Sequence, residues 1–319
     1  MTQITGFIEP KRREGEIGVH SVDGFNIAVP NLTQAEKFYS AFGLELRNEH
    51  NGFGLFTAGH GHRWGGVTEG PVKKLTHISF GAFEDDLERL RARLQDNRVP
   101  QIDAPAGFAS NGVWFSDPDG NLLEIRVAPK TSPNEKSVFS AVSSGPGVQA
   151  APYRSKAPVV RPRRLAHVLI FSTDVPRATN FYSRVIGLRM SDYSGDGIAF
   201  MHGIHGSDHH MMAFAKSNGP GLHHLSWDVG SVNDVGLGAS QMADQGFTAG
   251  WGLGRHVLGS NYFHYVRDPW GSYCEYSADI DYIPSDHDWA SGDRPGEDAF
   301  YLWGPQPPAD FTTNYEAGA

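Results

Sequence analysis

Short runs in which apolar and polar residues alternate, such as GLHHLSWDV (221–229) and SYCEY (272–276), recur between clusters of Gly, Pro, Asn and Asp. A period of two predicts strands with one face buried. Other stretches carry apolar residues at helical spacing. NLTQAEKFYSAFGL offers Asn31 or Thr33 as an N-cap and Gly43 past the end, and DVPRATNFYSRVIGL repeats the device with Asp174, Pro176 and Gly187. FEDDLERLRARLQDNRVP predicts a second helix. SVNDVGLGASQMADQGF is its counterpart further on, weakened by Gly236 and Gly238.

The pattern occurs twice. FNIAVPNLTQAEKFYSAFGLEL (25–46) lines up with HVLIFSTDVPRATNFYSRVIGLRM (167–190), LTHISF (75–80) with LHHLSW (222–227), and VWFSDPDGNLLEIRV (113–127) with HYVRDPWGSYCEYSA (264–278). The offset drifts only from 142 (167 minus 25) to 151 (264 minus 113), as a duplication with small loop insertions requires. Each copy reads as two βαβββ units, four in all. The expected organisation is an N-terminal domain over 1–130, a Ser-, Pro- and Gly-rich linker over 131–163, a C-terminal domain over 164–280 and a tail over 281–319.

Alternation decides which side chains can meet. His224, Ser226 and Asp228 share one strand face, and His223, Leu225 and Trp227 the other. The repeat selects His224 as the inward one, because His77 of LTHISF falls opposite it. Asp268-Pro-Trp-Gly271 suits a tight turn, so its flanks should pair as a hairpin with Tyr265 and Glu275 facing the same interior. His167 stands between Leu165 and Leu169, where an unpartnered imidazole would be costly to bury. Any one of these histidines alone reads best as a hydrogen-bonded core residue. His167, His224 and Glu275 together, from three strands, read as a metal site. Two imidazoles and a carboxylate leave half an octahedron open, which suits non-haem Fe(II); Mn(II) fits the same set. The first copy keeps His77 and Glu124, but Phe25 is expected where His167 stands, so a tight site there is not expected.

Composition narrows the partners. A length of 319 residues with 39% hydrophobic content suits a globular chain with two cores. A formal charge of −9 argues against nucleic acid as the main partner. No apolar run approaches the ~18 residues of a membrane span. The polar start MTQITGFIEPKRREGEIG does not read as a secretory signal, and the single cysteine, Cys274, suits a reducing cytoplasm.

The segment Gly254, His256, Tyr265, Asp268, Pro269, Gly271, Glu275 resembles the signature of type I extradiol ring-cleavage dioxygenases of the vicinal oxygen chelate superfamily. The resemblance covers residues ~20 to ~280, with His264 departing from the aliphatic or Phe residue usual before the tyrosine. It implies an α+β fold, a duplicated vicinal oxygen chelate fold whose four βαβββ modules form two open barrel-like domains, of which only the second is catalytic. It also implies cleavage of a catechol-type substrate with O2, on a metal held by His167, His224 and Glu275. HHMMAF places His210 at the family's acid/base position; His209 is the structural alternative. Tyr265 would hydrogen-bond the substrate oxygen and His256 would shape the pocket rim from a flexible loop. The family further implies a homo-oligomer, with a tetramer favoured.

Two other readings compete. A glyoxalase-type isomerase would want four ligands split between the copies, and a metal-free binding or resistance module would need none of the triad. Leu169, two after the first ligand, favours an apolar or small-substituent catechol over a carboxylated one. The aromatic tail, with Trp289, Phe300, Tyr301, Trp303 and Phe311, is expected to pack over the site or across a subunit boundary.

Overall fold

The computed structural model describes residues 10–108, 110–141 and 143–317. Each of the four repeating groups folds as a strand, a helix and three strands. The first comprises strand Ser21–Val29, helix Leu32–Ala41 and strands Glu45–Glu49, Gly52–Phe56 and Arg63–Glu69. The second comprises strand Lys74–Ala82, helix Glu84–Asp96 and strands Gln101–Ile102, Val113–Ser116 and Leu122–Val127. Together their strands make one eight-stranded sheet. The third module runs through strand Arg164–Ser172, helix Val175–Phe181 and strands Leu188–Ser194, Ile198–Gly203 and Met212–Lys216. The fourth runs through strand Gly221–Asp228, helix Val232–Asp244 and strands Gly250–His256, Tyr262–Arg267 and Tyr273–Ala278. These strands form a nine-stranded sheet, whose last member, Tyr301–Trp303, comes from the tail.

In each sheet the leading strands of its two modules lie antiparallel at the centre: Ser21–Val29 beside Lys74–Ala82, and Arg164–Ser172 beside Gly221–Asp228. Inward side chains from both modules therefore meet at mid-sheet. The segment 131–163 is irregular among its described residues, apart from a single turn at Arg154–Lys156.

Local chemistry explains the element ends. Asn31 and Asp174 cap their helices by accepting from the backbone N–H of Gln34 and Arg177. Asp268 Oδ1 accepts from the backbone N–H of Trp270 and Ser272, at 2.8 and 3.1 Å, and closes the hairpin turn. Gly271 there has φ +105°, a conformation that favours glycine.

The two copies share one continuous apolar core. Phe42 of the first copy stacks on Tyr276 of the second, with ring centroids 3.9 Å apart, and the Tyr276 hydroxyl donates to the Phe42 carbonyl. Reciprocally, the Tyr182 hydroxyl donates to Asp117.

One expected correspondence shifts by a residue. Ser79 pairs with Gly24, whereas Ser226 pairs with His167, and the two N-caps Asn31 and Asp174 keep the same spacing from these positions. Gly24, not Phe25, stands at the place of His167. The fully buried Phe25 ring belongs to the core, edge-on to Trp227. The conclusion survives in altered form: the first copy offers no side chain at all where the second offers an imidazole.

The helix Val232–Asp244 forms despite its glycines, and they differ. A Cβ on Gly238 would lie 2.7 Å from the Tyr276 ring, while one on Gly236 would meet nothing within 4 Å. Replacing a helical Gly by Ala gains about 1 kcal/mol, and overpacking costs about 1–3 kcal/mol. Gly236→Ala should raise stability in urea unfolding, and Gly238→Ala should lower it. Equal shifts of the two midpoints would contradict this packing.

Candidate active site

Three neighbouring strands bring the predicted ligands together. Ser226 on the central strand pairs with His167 on one side and Glu275 on the other, and His224 lies two residues before it on the same face. His167 Nε2 is 3.1 Å from His224 Nε2 and 3.2 Å from Glu275 Oε2; His224 Nε2 is 3.7 Å from the same oxygen. All three residues are buried. The second Glu275 oxygen, Oε1, accepts from Asn261 Nδ2 at 3.0 Å, whereas Oε2 has no hydrogen-bond partner.

An unpartnered carboxylate oxygen and two imidazole nitrogens facing one point are costly to bury unless a cation lies among them. The residues therefore fit a divalent metal. Among the described residues they are the one group that converges in this way.

The first copy shows the contrast. His77 Nε2 lies 2.9 Å from Asn26 Nδ2, and the Glu124 carboxylate accepts from the hydroxyls of Ser79 and Ser110. There the protein itself caps the lone pairs. A cavity of about 910 Å³ opens beside them without a third ligand.

Tyr265 lies directly opposite Glu275 in the hairpin. Its hydroxyl is 3.0 Å from His256 Nε2, and His256 Nδ1 is 2.8 Å from the Phe300 carbonyl. Because a carbonyl only accepts, Nδ1 carries the proton and Nε2 accepts from the tyrosine. His256 does not sit in a flexible loop. It ends a strand pinned between Tyr262–Arg267 and the tail strand.

His210 stacks near His167, with ring centroids 4.1 Å apart. The adjacent His209 orients it. Asp192 lies 3.1 Å from His209 Nε2, and His209 Nδ1 lies 3.1 Å from His210 Nδ1. The carboxylate accepts from His209 Nε2–H, so His209 Nδ1 accepts from His210 Nδ1–H and His210 Nε2 is left bare. Asp192 is itself gripped by Trp289 Nε1, the Gly292 N–H and Arg294 Nε at 3.0–3.2 Å, all from the tail.

Burial shapes the titration of these groups. It holds His210 and His224 well below the usual imidazole value, neighbouring histidines adding to the effect, and holds His223 down to about 4. Burial and then the Glu275 charge push Tyr265 well above the usual phenol value. For Glu275, burial acts upward, but His167 and His256 outweigh it and the carboxyl stays below its ordinary value.

The open space beside these groups is about 60 Å³. Leu169, Ile198, Phe200, Leu258, Phe300 and Phe311 form its apolar wall, and no lysine or arginine lines it. The tail thus contributes Ala299, Phe300, Phe311 and Thr312 to the lining of the second-copy site. Within the tail, Phe311 is buried, whereas Trp303, expected to pack, is 43% exposed on the outermost strand.

Of the six residues singled out from the sequence, His167, His210, His224, His256 and Tyr265 line this space, and Glu275 lies behind them within 3.2 Å of His167. Sequence reasoning missed Asp192, Asn261 and the two tail carbonyls. The doublets His209-His210 and His223-His224 were a usable signal, since each inward histidine is flanked by one that can fix its proton.

The chain is 48% identical over 299 residues to Metapyrocatechase 2 of Cupriavidus necator, covering 94% of this chain and 93% of that protein. It is 26% identical over 225 residues to an iron-dependent extradiol dioxygenase of Rhodococcus jostii, covering 66% of each. The fold matches that of the Mn(II)-bound glyoxalase of Novosphingobium aromaticivorans with a TM-score of 0.75 at 24% identity, over 91% of this chain and 93% of that one. The family model of the Glyoxalase/Bleomycin resistance protein/Dioxygenase superfamily matches residues 21–125 and again 164–276, and the chain belongs to that superfamily.

Proposed function

We propose that the chain is an extradiol dioxygenase that cleaves a catechol-type ring beside, not between, its hydroxyl-bearing carbons, with O2 as co-substrate. The observation that carries the reading is the convergence of two imidazole nitrogens and one unpartnered carboxylate oxygen in a buried apolar pocket. His167, His224 and Glu275 would hold one non-haem Fe(II), whose chemistry is to let electron density pass from a chelated ring to dioxygen. The similarity to an iron-dependent relative supports iron; the same ligands accommodate Mn(II), and metal analysis of active protein decides between them.

The remaining residues do the proton work and the positioning. His210, with Nε2 bare, takes a proton from a substrate hydroxyl and returns it as the O–O bond breaks. Tyr265 hydrogen-bonds a substrate oxygen by accepting from the catechol hydroxyl, while its own proton goes to His256 and the Phe300 carbonyl holds His256. Residues 164–280 act as the catalytic domain, 1–130 as a non-catalytic support, 131–163 as the linker and 281–319 as a covering tail. No helix among the described residues is long and apolar enough to cross a membrane. We place the enzyme in the cytoplasm as a homo-oligomer, with a tetramer favoured; the single cysteine and the exposed edge strand Tyr301–Trp303 support these two readings.

Glu275→Gln should lose most of its iron after anaerobic reconstitution, and ring cleavage with it; a variant with full turnover removes Glu275 from the ligand set. His210→Ala should still bind iron and catechol while kcat falls about 10²–10⁴-fold, the usual worth of a positioned acid–base group. Unchanged turnover would move the role to another base. In a panel followed by oxygen uptake, catechol and small alkyl or halo catechols should show higher kcat/KM than carboxylated ones, because the pocket has no cation to pair with a buried carboxylate. A carboxylated catechol as best substrate would contradict the apolar wall.

A further inference from the structure

His223 is buried, and alternation assigns it to the face away from the ligands. A bulge in the strand instead turns its ring to the ligand side, against Phe171, Tyr273 and Phe311, where the activity described above does not use it. Its ring nevertheless makes two polar contacts. Nε2 lies 2.9 Å from the Phe311 carbonyl oxygen, and Nδ1 lies 2.7 Å from Nδ1 of His224. A carbonyl can only accept, so Nε2 carries the proton of the neutral ring. Nδ1 of His223 is then an acceptor, and Nδ1 of His224 must donate to it. That leaves Nε2 of His224 as a bare lone pair directed at Glu275 Oε2 and His167 Nε2. The opposite tautomer of His224 would put a hydrogen where the metal has to be.

Phe311 lies in the tail, and several contacts keep it in place. Its ring packs on His223, Tyr265 and Tyr273, with centroids 4.9, 5.0 and 5.1 Å away. Asn314 Nδ2 donates to the carbonyls of Gly219 and Pro220, just before the strand that carries His223. The Glu316 carboxylate accepts from the backbone N–H of Leu222 at 3.1 Å and of Leu75 at 3.0 Å, and pairs with the Lys73 ammonium. Lys73 and Leu75 belong to the first copy. With side chains 4% and 9% exposed, the Lys73–Glu316 pair is a buried clamp whose rupture would leave one charge stranded.

We propose that His223 is a positioning residue for the metal centre: the docked tail fixes its proton through the Phe311 carbonyl, His223 fixes that of His224, and the Lys73–Glu316 clamp makes the first copy part of this chain. The proposal gives the non-catalytic copy and the tail a defined task. It rests on the metal-site reading above.

The test measures metal affinity rather than turnover. Full-length protein is titrated anaerobically with Co(II) against a competing chelator. In parallel, long-range ¹H–¹⁵N correlations read the histidine tautomers of the metal-free protein. The wild type should show His223 protonated at Nε2 and His224 at Nδ1; His223 protonated at Nδ1 overturns the proposal. His223→Phe keeps a ring of similar shape but removes both hydrogen bonds. It should weaken Co(II) binding about 10–100-fold, the usual effect of losing a partner behind a ligand, and His224 should become a mixture of tautomers. Glu316→Gln should give a smaller loss of the same sign, and adding it to His223→Phe should cost nothing further, because both act through one contact. Wild-type affinity in His223→Phe alongside weakened binding in Glu275→Gln overturns the relay, as do fully additive losses. Wild-type affinity in both removes the metal site and the relay with it. If His223→Phe does not fold, His223→Gln, which can reach Phe311 but cannot hold both contacts, serves with the same expectations.

Discussion

The site depends on a group of lone pairs buried with nothing in the protein to receive them. Across three adjacent strands, Glu275 Oε2 and the Nε2 atoms of His167 and His224 come within 3.1–3.7 Å of one another. Desolvating such a group is strongly unfavourable unless a cation resides among them. Asn261 occupies the other Glu275 oxygen, and His223 occupies the rear nitrogen of His224, whereas His167 Nδ1 and Ser226 Oγ have no partner. The face a divalent ion would use stays bare. In the first copy, Asn26, Ser79 and Ser110 close the corresponding lone pairs, and Gly24 replaces the third ligand. The same fold therefore leaves a bare set of lone pairs in one half and a closed set in the other through a few side chains.

The duplication makes this geometry inexpensive to build. In each half, two modules bring their leading strands side by side at mid-sheet, so one small residue, Ser226, is flanked by ligands from both modules. Around this row the orientation of three of the four imidazoles, all but His167, is set by an acceptor with only one role. Asp192 acts through His209 on His210, the Phe311 carbonyl acts through His223 on His224, and the Phe300 carbonyl acts on His256. All three devices lean on the tail, which lies outside the repeated modules. Its apolar residues also give the pocket a wall without cations, so a neutral ring enters at little electrostatic cost.

Much of this was legible in the chain. Period-two alternation turned His224 inward but wrongly sent His223 to the far face, because a bulge brings its ring back to the ligand side; the hairpin turn at Asp268–Gly271 set Tyr265 opposite Glu275, and internal comparison paired the copies. The comparison slipped by one residue at Phe25, where the strand offers few distinctive positions to fix the alignment; the shared N-caps Asn31 and Asp174 would have held it in register. That the aromatic tail packs was legible, but its hydrogen bonds to the site were not. Its key contacts are backbone carbonyls, which leave no mark on residue type, and they join positions 44 and 88 residues apart. His256 looked loop-like among its glycines because the strand that pins it, Tyr301–Trp303, follows some 45 residues later.

Diffraction data collected above and below the iron edge, from crystals grown without oxygen and loaded with Fe(II), address the central claim most directly. The account predicts a single anomalous peak enclosed by the imidazoles of His167 and His224 and the carboxylate of Glu275, with none beside His77 and Glu124. A peak in the first copy instead, or none among the three second-copy side chains, would contradict it.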